Sequence, residues 1–301
     1  WRDPAVIIRA EYARARSMLG LQPRSIVIDG QRWAYVEGTA VKRGAADHAD
    51  APIIVMLHGY TGSKENWYRL AARLRGRYRL VIPDLPGWGQ SERRADGDYG
   101  YAAQAVNVGA FIRAVSDRPV VLLGHSMGGG IAAATAAQYP QLVSRVGLLN
   151  ASGVEFQDNP FGLDVLDGNN PFGVRDAASL EHYLDILFHV RKARPPIPWP
   201  ASRIVIAQRR RDSDFEQAVL DCIGRSDSRF LPGELATQIR QPALLLWGAQ
   251  DAVIDPSALD LYARRMPQAR KVLLDDCGHM SLMEYPDAVA DAVIALIEQD
   301  Q

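Results

Sequence analysis

Short apolar runs alternate with longer amphipathic segments along most of the chain. Six runs have the length and composition of buried strands: residues 52–57, 78–83, 119–123, 145–149, 242–247 and 270–275. Helical patterns lie near 65–75 and 101–115, and a third, at 286–299, ends the chain. Strands that alternate with helices in this way predict an α/β fold, in which helices cover both faces of a mostly parallel central sheet.

Two further elements precede this series. Residues 4–19 predict a helix that ends before Gly20. Segments 24–28 and 32–36 flank an Asp-Gly turn, which is the usual signature of a two-stranded hairpin. We therefore expect a helix and then a β-hairpin at the N-terminal side of the sheet.

The alternation of strands and helices is interrupted between about residues 154 and 239. This segment contains a helix candidate at 180–188 and a proline-rich stretch at 195–200. Since it falls between two strands of the predicted sheet, we expect an inserted, mainly helical cap over the C-terminal edge of the sheet. The chain then has four parts: an N-terminal helix (1–23), a first core segment (24–153), the cap (154–239) and a second core segment (240–301).

The stretch GHSMGGG, residues 124–130, lies between an apolar run and an alanine-rich helical pattern. A helix that folds straight back over its strand leaves no room for Cβ atoms two residues before and after the turn. Gly124 and Gly128 meet this demand, and the Ser126 oxygen is expected to be exposed at the tip. From this stretch alone, a glycine-rich turn with an incidental serine remains the alternative.

A serine hydroxyl is a weak nucleophile until a base accepts its proton and a third group orients that base. His279 follows the last predicted strand and is the predicted base. Asp251 follows the strand at 242–247 and is the predicted orienting carboxylate; Asp255 is the competitor, with an alternative role as a helix cap before Pro256. The other five histidines lie in a polar loop, in the cap or beside other motifs: His48, His58, His125, His182 and His189.

The segment Leu57-His-Gly-Tyr-Thr-Gly62 follows the first strand of the predicted parallel sheet. Its glycines would let a backbone N–H face the serine and stabilise an oxyanion. We expect the N–H groups of Tyr60 and Met127 to form this oxyanion hole. A phosphate-binding loop is the alternative, but the Lys-Ser/Thr ending of such a loop is missing.

Five motifs in order resemble the α/β-hydrolase family: HGYTGS at 58–63, DLPGWGQS at 84–91, GHSMGG at 124–129, WGAQD at 247–251 and CGHM at 277–280. Within that family the chain looks most like the membrane-associated monoacylglycerol lipases and bacterial lysophospholipase-like esterases. The resemblance implies an α/β-hydrolase fold. It also implies a catalytic triad and an oxyanion hole formed by Ser126, Asp251, His279, Tyr60 and Met127.

Those relatives carry a hydrophobic anchor ahead of the catalytic domain, and the sequence starting at Trp1 contains no such segment. The resemblance therefore implies membrane association through a segment upstream of Trp1; without that segment we expect a soluble protein.

Composition excludes some classes of partner. The net charge of −1 offers no general attraction for nucleic acid, and the two cysteines form no metal-binding pattern. We expect no metal and no cofactor. The expected partners are a small-molecule acyl ester or lipid and a membrane surface, while the sequence does not indicate an oligomeric state.

Together these observations predict a serine carboxylic ester hydrolase that cleaves acyl glycerols or lysophospholipids through an acyl-enzyme. The alternatives are a carbon–carbon bond hydrolase of aromatic degradation and a low-turnover ligand-binding member of the same fold. An apolar cap suits acyl chains better than charged substrates. The predicted substrate-binding residues lie in the segment 57–62, which would contribute to the oxyanion hole, and in the cap: His58, Gly59, Phe161, Phe172, Leu187, Phe188 and Trp199.

The cap also contains a basic stretch, with seven basic residues and no acidic one between Arg191 and Arg211. One interpretation is a solvated face whose acidic partners follow directly in the sequence. The other is a surface that rests against anionic lipid head groups, with Trp199 beside it.

Overall fold

The computed structural model describes residues 5–40 and 51–298; Pro4, where the first helix was expected to start, and His48 lie outside these residues. Within the described residues eight strands form one sheet: β1 Gln22–Ile28, β2 Gln31–Gly38, β3 Ile53–Leu57, β4 Arg79–Pro83, β5 Val120–His125, β6 Val143–Leu149, β7 Ala243–Gly248 and β8 Arg270–Leu274. Their order across the sheet is β1-β2-β4-β3-β5-β6-β7-β8.

The sheet is mostly parallel, as predicted. Strands β3 to β8 run in one direction, while β1 and β2 form an antiparallel edge. Strands β3, β5 and β7 are buried along their whole length. Burial on both faces explains why their sequences are continuous apolar runs without alternation. The carboxyl ends of these parallel strands meet at one edge of the sheet, and this edge positions the candidate site.

Eleven α-helices lie within the described residues: α1 Ala5–Met18, α2 Tyr68–Leu74, α3 Tyr101–Val115, α4 Met127–Gln138, α5 Pro160–Leu166, α6 Ala177–Leu187, α7 Ala201–Arg225, α8 Leu231–Ala236, α9 Ser257–Arg265, α10 Ser281–Glu284 and α11 Pro286–Glu298. Helices α2, α10 and α11 pack together, and α3, α8 and α9 belong to a second group around α4. Across residues 5–40 and 51–298 no helix combines the length and the apolar composition needed to span a bilayer.

The predicted hairpin is confirmed. Ile28 pairs with Gln31 across the turn. Asp29 and Gly30 between them have φ values of 49° and 75°. Two successive residues in the left-handed region are what a type I′ turn requires, and its twist matches that of the flanking strands.

Between β6 and β7 the chain leaves the sheet and forms α5 to α8. The helix expected at 180–188 is present as α6. The longest helix, α7, was not predicted. Its apolar face, which contacts α5 and α6, is sparse and is difficult to recognise in the sequence among many charged residues. Helix α1 also contacts α7, so the N-terminal helix packs partly on the inserted segment. Helix α8, although it lies in the inserted segment, packs against α4 of the core. The cap boundaries at 154 and 239 remain a prediction.

Candidate active site

Ser126 alone forms the turn between strand β5 and helix α4. Its φ of 55° and ψ of −122° are values that residues with a side chain rarely adopt. The Ser126 carbonyl accepts backbone N–H groups from Gly129 and Ser152 at 2.9 Å and 3.1 Å. These bonds hold the strained residue between the strand and the first turn of the helix.

Two glycines allow this turn, for the reason that the sequence suggested. A Cβ atom at Gly124 would overlap the carbonyl of Gly128, and a Cβ at Gly128 would overlap the carbonyls of Leu57 and His58. A clash with backbone atoms cannot be relieved by a side-chain rotation. The close approach of helix α4 to β3 and β5 therefore depends on glycine at both positions.

The serine at the tip of the turn faces two cavities rather than open solvent. Ser126 is only 8% exposed, although it lies at the tip of the turn. Ser126 and Phe172 of the inserted segment line the same two cavities, so the insertion covers the serine. The sequence of the strand–turn–helix unit alone does not reveal this cover.

His279 and Asp251 form a buried pair beside Ser126. The imidazole Nδ1 of His279 lies 3.0 Å and 2.9 Å from the two carboxylate oxygens of Asp251. His279 and Ser126 line the same cavity. Donation from Nδ1–H to the carboxylate leaves Nε2 of His279 as a proton acceptor. The three strand-end residues predicted from the sequence are thus brought together.

The carboxylate of Asp251 accepts further hydrogen bonds that the sequence did not suggest. Its Oδ1 accepts the backbone N–H groups of Val253 and Ile254 at 2.9 Å and 3.0 Å. Its Oδ2 accepts Nδ2 of Asn150 at 2.8 Å, and Ser281 donates to the Asn150 Oδ1 at 2.6 Å. These donors fix the orientation of the carboxylate toward His279.

Asn150 is a site residue that the sequence reasoning missed. It directly follows β6, is fully buried and has a φ of 47°. Its position after a strand of the parallel sheet was the one available signal, because the other site residues also follow such strands.

Asp255, the competitor of Asp251, has the expected structural position. Its Oδ1 accepts the backbone N–H of Ser257, the first residue of α9, at 2.9 Å. This contact satisfies a donor at the helix N-terminus that has no partner within the helix. Asp255 therefore caps α9, and Asp251 alone of the two is bonded to His279.

The loop after β3 carries Gly59 and Tyr60 to the serine. Two hydrogen bonds of His58 hold this loop. Its Nε2 accepts the N–H of Leu85 at 2.9 Å, and its Nδ1 donates to the Gly59 carbonyl at 2.8 Å. Burial lowers the pKa of His58, so the ring stays neutral and keeps this arrangement.

Two backbone N–H groups near Ser126, those of Tyr60 and Met127, are available as donors. In the described part of the chain neither the N–H of Tyr60 nor that of Met127 has a hydrogen-bond acceptor within the protein. Both residues line the larger cavity together with Ser126. Met127 is also the first residue of α4, where the helix dipole favours negative charge. These groups are suited to bind an oxyanion on a carbon attached to Ser126.

His125 supports the site rather than acting as its base. Its Nε2 donates to the backbone carbonyl of His279 at 2.8 Å, and the two rings lie 4.8 Å apart. Burial, and then the neighbouring His279, lower the pKa of His125 well below 6.5. A neutral ring in this position helps to fix the backbone of His279.

Two cavities meet at Ser126, and Tyr60 and Phe172 lie at their junction. The larger, about 190 Å³, has a mainly apolar wall that includes Phe156, Phe161, Val165, Leu220, Ile223 and Ile254. The smaller, about 110 Å³, lies on the side of His279. For scale, an apolar cavity of about 150 Å³ holds a benzene molecule.

The predicted substrate-binding residues divide between these cavities, with two exceptions. Gly59, Leu187 and Phe188 line the smaller cavity, Phe161 lines the larger, and Phe172 lines both.

His58 and Trp199 are corrections to the prediction. His58 lines neither cavity, because it is fully buried beneath the loop with both ring nitrogens bonded to the backbone. Trp199 lines neither cavity and is 73% exposed, because the proline-rich segment places it on the outside of the inserted segment.

Acidic, histidine and cysteine side chains are the usual protein ligands of metal ions. Within residues 5–40 and 51–298 no group of three or more such side chains is arranged to hold a metal ion. Burial raises the pKa of the Cys277 thiol, which lies just before His279 in the sequence.

The protein-family model described as the alpha/beta hydrolase family matches residues 54–292. The matched segment contains Ser126, Asp251 and His279, together with the loop that carries Tyr60. It also spans the inserted segment between β6 and β7.

Similar proteins include lipases. Lipase 1 of Psychrobacter immobilis is 29% identical over 93% of this chain and 85% of its own length. Monoacylglycerol lipase ABHD6 of Homo sapiens is 28% identical over 97% of this chain and 86% of its own length. The crystal structure of a membrane phospholipase A, described as a bacterial virulence factor, has a TM-score of 0.88 and 30% identity, and covers 98% of this chain and 92% of that chain.

Proposed function

The chain belongs to the alpha/beta hydrolase family, and from this premise we propose that it is a serine carboxylic ester hydrolase acting on acyl glycerols or lysophospholipids. One observation carries the proposal: Asp251 and His279 form a buried hydrogen-bonded pair at the cavity that contains Ser126. The relatives named as lipases and a phospholipase support the same class of reaction.

The reaction would proceed in two halves. Ser126 Oγ attacks the ester carbonyl while its proton passes to Nε2 of His279, and the resulting oxyanion is bound by the N–H groups of Tyr60 and Met127. The tetrahedral species then expels the alcohol, which receives the proton from His279. Water, deprotonated by the same histidine, cleaves the acyl-enzyme and restores Ser126.

Asp251 would keep His279 in the reactive tautomer and stabilise the imidazolium that forms in each half. The three other donors to its carboxylate are Val253, Ile254 and Asn150. They support this role because they hold the carboxylate in one orientation.

The two cavities suggest how an ester would lie. The leaving oxygen must receive its proton from His279, so the alcohol would occupy the smaller cavity on that side. The acyl chain would then lie in the larger cavity, whose wall is mainly apolar. This orientation favours substrates with a hydrocarbon acyl chain and a compact alcohol.

A chain-length series tests the proposal. We expect hydrolysis of p-nitrophenyl esters, monoacylglycerol and lysophospholipid, with kcat/KM rising from acetate toward medium-chain esters. Ile223→Trp should fill part of the larger cavity and lower kcat/KM for decanoate while butyrate is spared, because Ile223 lines that cavity. Val106→Trp, at a half-exposed position on α3, is the matched control. A protein that binds these esters without hydrolysing them would favour the low-turnover alternative.

A further inference from the structure

The loop of residues 58–63 is held from two sides. On the core side, His58 bonds to Gly59 and Leu85, and the N–H of Ser63 donates to Asn66 Oδ1 at 2.8 Å. These contacts fix the beginning and the end of the loop. Tyr60, at its middle, has no bond of this kind to the core.

On the other side the middle of the loop is bonded to the inserted segment. The Tyr60 hydroxyl donates to the backbone carbonyl of Glu216 in α7 at 2.6 Å and accepts the Asn170 amide at 3.3 Å. The adjacent Thr61 hydroxyl lies 3.0 Å from the hydroxyl of Tyr183 in α6. Thr61 has a φ of 56°, so this part of the loop is strained and depends on its partners.

A buried ion pair connects the parts of the inserted segment that bond to this loop. Arg209 and Glu216 of α7 are joined by an Nε–Oε1 distance of 2.7 Å, and their side chains are only 11% and 4% exposed. Arg209 also donates to the Phe172 carbonyl at 2.7 Å, and its guanidinium lies 4.7 Å from the ring centroid of Tyr183. One arginine thus joins both helices and the segment that contains Phe172.

We propose that Tyr60 is a positioning residue whose hydroxyl bonds the loop of residues 58–63 to the inserted segment. The backbone N–H of Tyr60 then reaches the position in which it can bind the oxyanion only when the inserted segment is packed against this loop. The inference rests on the proposed function, in which that N–H binds the oxyanion. The Tyr60 ring already packs against Trp88 and Phe172, at centroid distances of 5.4 Å and 5.6 Å. A phenylalanine would keep that packing, and the hydroxyl therefore serves the link to α7.

Tyr60→Phe removes the link and keeps both the ring and the backbone N–H. Loss of an oxyanion donor costs about 10²–10³-fold in kcat, and a donor that is kept but loosened should cost on the order of 10-fold. We expect this loss in kcat for p-nitrophenyl butyrate, an unchanged KM and an equal loss in the rate of fluorophosphonate labelling. Tyr262→Phe is the matched control, since it removes another phenol-to-carbonyl bond of 2.6 Å, to Ser152.

The outcomes separate the inference from the proposed function. An unchanged kcat in Tyr60→Phe, or equal losses of kcat and stability in both variants, would overturn the positioning role while the wild type still hydrolyses esters. A raised KM at constant kcat would show that the hydroxyl serves substrate binding and would also overturn it. A wild type without ester hydrolysis would refute the proposed function, and the inference would fall with it.

Discussion

At the scale of single residues, the two aspartates after β7 differ in what their carboxylates contact. Asp251 is bonded to His279, whereas Asp255 caps α9. Asp251→Asn should lower kcat by roughly 10⁴-fold, the effect of neutralising such a carboxylate in a serine triad. Asp255→Ala should leave kcat intact and cost about 1 kcal/mol of unfolding free energy. Steady-state kinetics and urea unfolding distinguish the two, and a large kinetic defect at Asp255 would reverse the assignment.

Two buried histidines predict a pH dependence of stability. Burial lowers the pKa of His58 and, more strongly, that of His125 below the usual 6.5. Below pH 6.5 the unfolded chain therefore binds protons that the folded protein does not, and stability falls as the pH is lowered.

The contribution of one of these groups can be measured. His125→Gln removes a titrating ring while keeping a donor near the place of Nε2, so the dependence of unfolding free energy on pH should become shallower by up to about 1.4 kcal/mol per pH unit. The measurement is urea unfolding between pH 7.5 and 5.5. An unchanged slope in this variant would show that His125 does not titrate as expected.

Site residues that follow a strand and belong to a recognisable motif can be predicted from the sequence. Ser126, Asp251 and His279 are of this kind, because parallel strands end at the same edge of the sheet. Asn150 also follows a strand, but no glycine pattern or partner in the sequence distinguishes it. Its contact with Asp251 exists only because β6 and β7 are neighbours in the sheet.

At the scale of elements, helix α7 shows why the inserted segment was harder to predict than the core. The basic stretch up to Arg211 was interpreted as a single face, either solvated or resting on lipid. In the structure Arg210 and Arg211 are exposed, whereas Arg209 points inward to Glu216. Which arginine of a run is buried depends on a partner seven residues away and on Tyr183 in another helix.

This difference between neighbours predicts different costs of substitution. Arg209→Gln should destabilise the inserted segment by about 3 kcal/mol or more, because it leaves Glu216 buried without its partner. Arg210→Gln, one residue along on the exposed face, should be close to neutral. Hydrogen exchange of α6 and α7, together with urea unfolding, measures both effects. Equal effects of the two substitutions would contradict the burial of the ion pair.

At the scale of the whole molecule, the outer face of the inserted segment can be tested for the two interpretations of the basic stretch, a solvated face or a lipid-facing surface. Trp199 is 73% exposed, and Arg203, Arg210 and Arg211 are exposed on the helix that follows it. Each basic residue near an anionic membrane contributes about 1 kcal/mol of binding free energy.

The triple variant Arg203→Gln, Arg210→Gln, Arg211→Gln should therefore weaken binding to anionic liposomes by roughly 10²-fold. Hydrolysis of lipid embedded in them should slow, while activity on dissolved p-nitrophenyl butyrate should be kept, because these residues do not line the cavities. Liposome sedimentation measures the binding, and parallel assays on embedded lipid and on dissolved ester measure the two rates of hydrolysis. Equal losses on both substrates would indicate damage to the inserted segment instead, and no loss on either would indicate a solvated face.

The central claim is that Ser126 is the nucleophile of an ester hydrolase, and active-site labelling tests it most directly. A fluorophosphonate probe should label the wild type once, at the peptide that contains Ser126, and ester hydrolysis should be lost in parallel. Ser126→Ala should abolish both labelling and hydrolysis and should retain a cooperative unfolding transition. Labelling that persists in Ser126→Ala, or a folded wild type that is never labelled, would contradict the account.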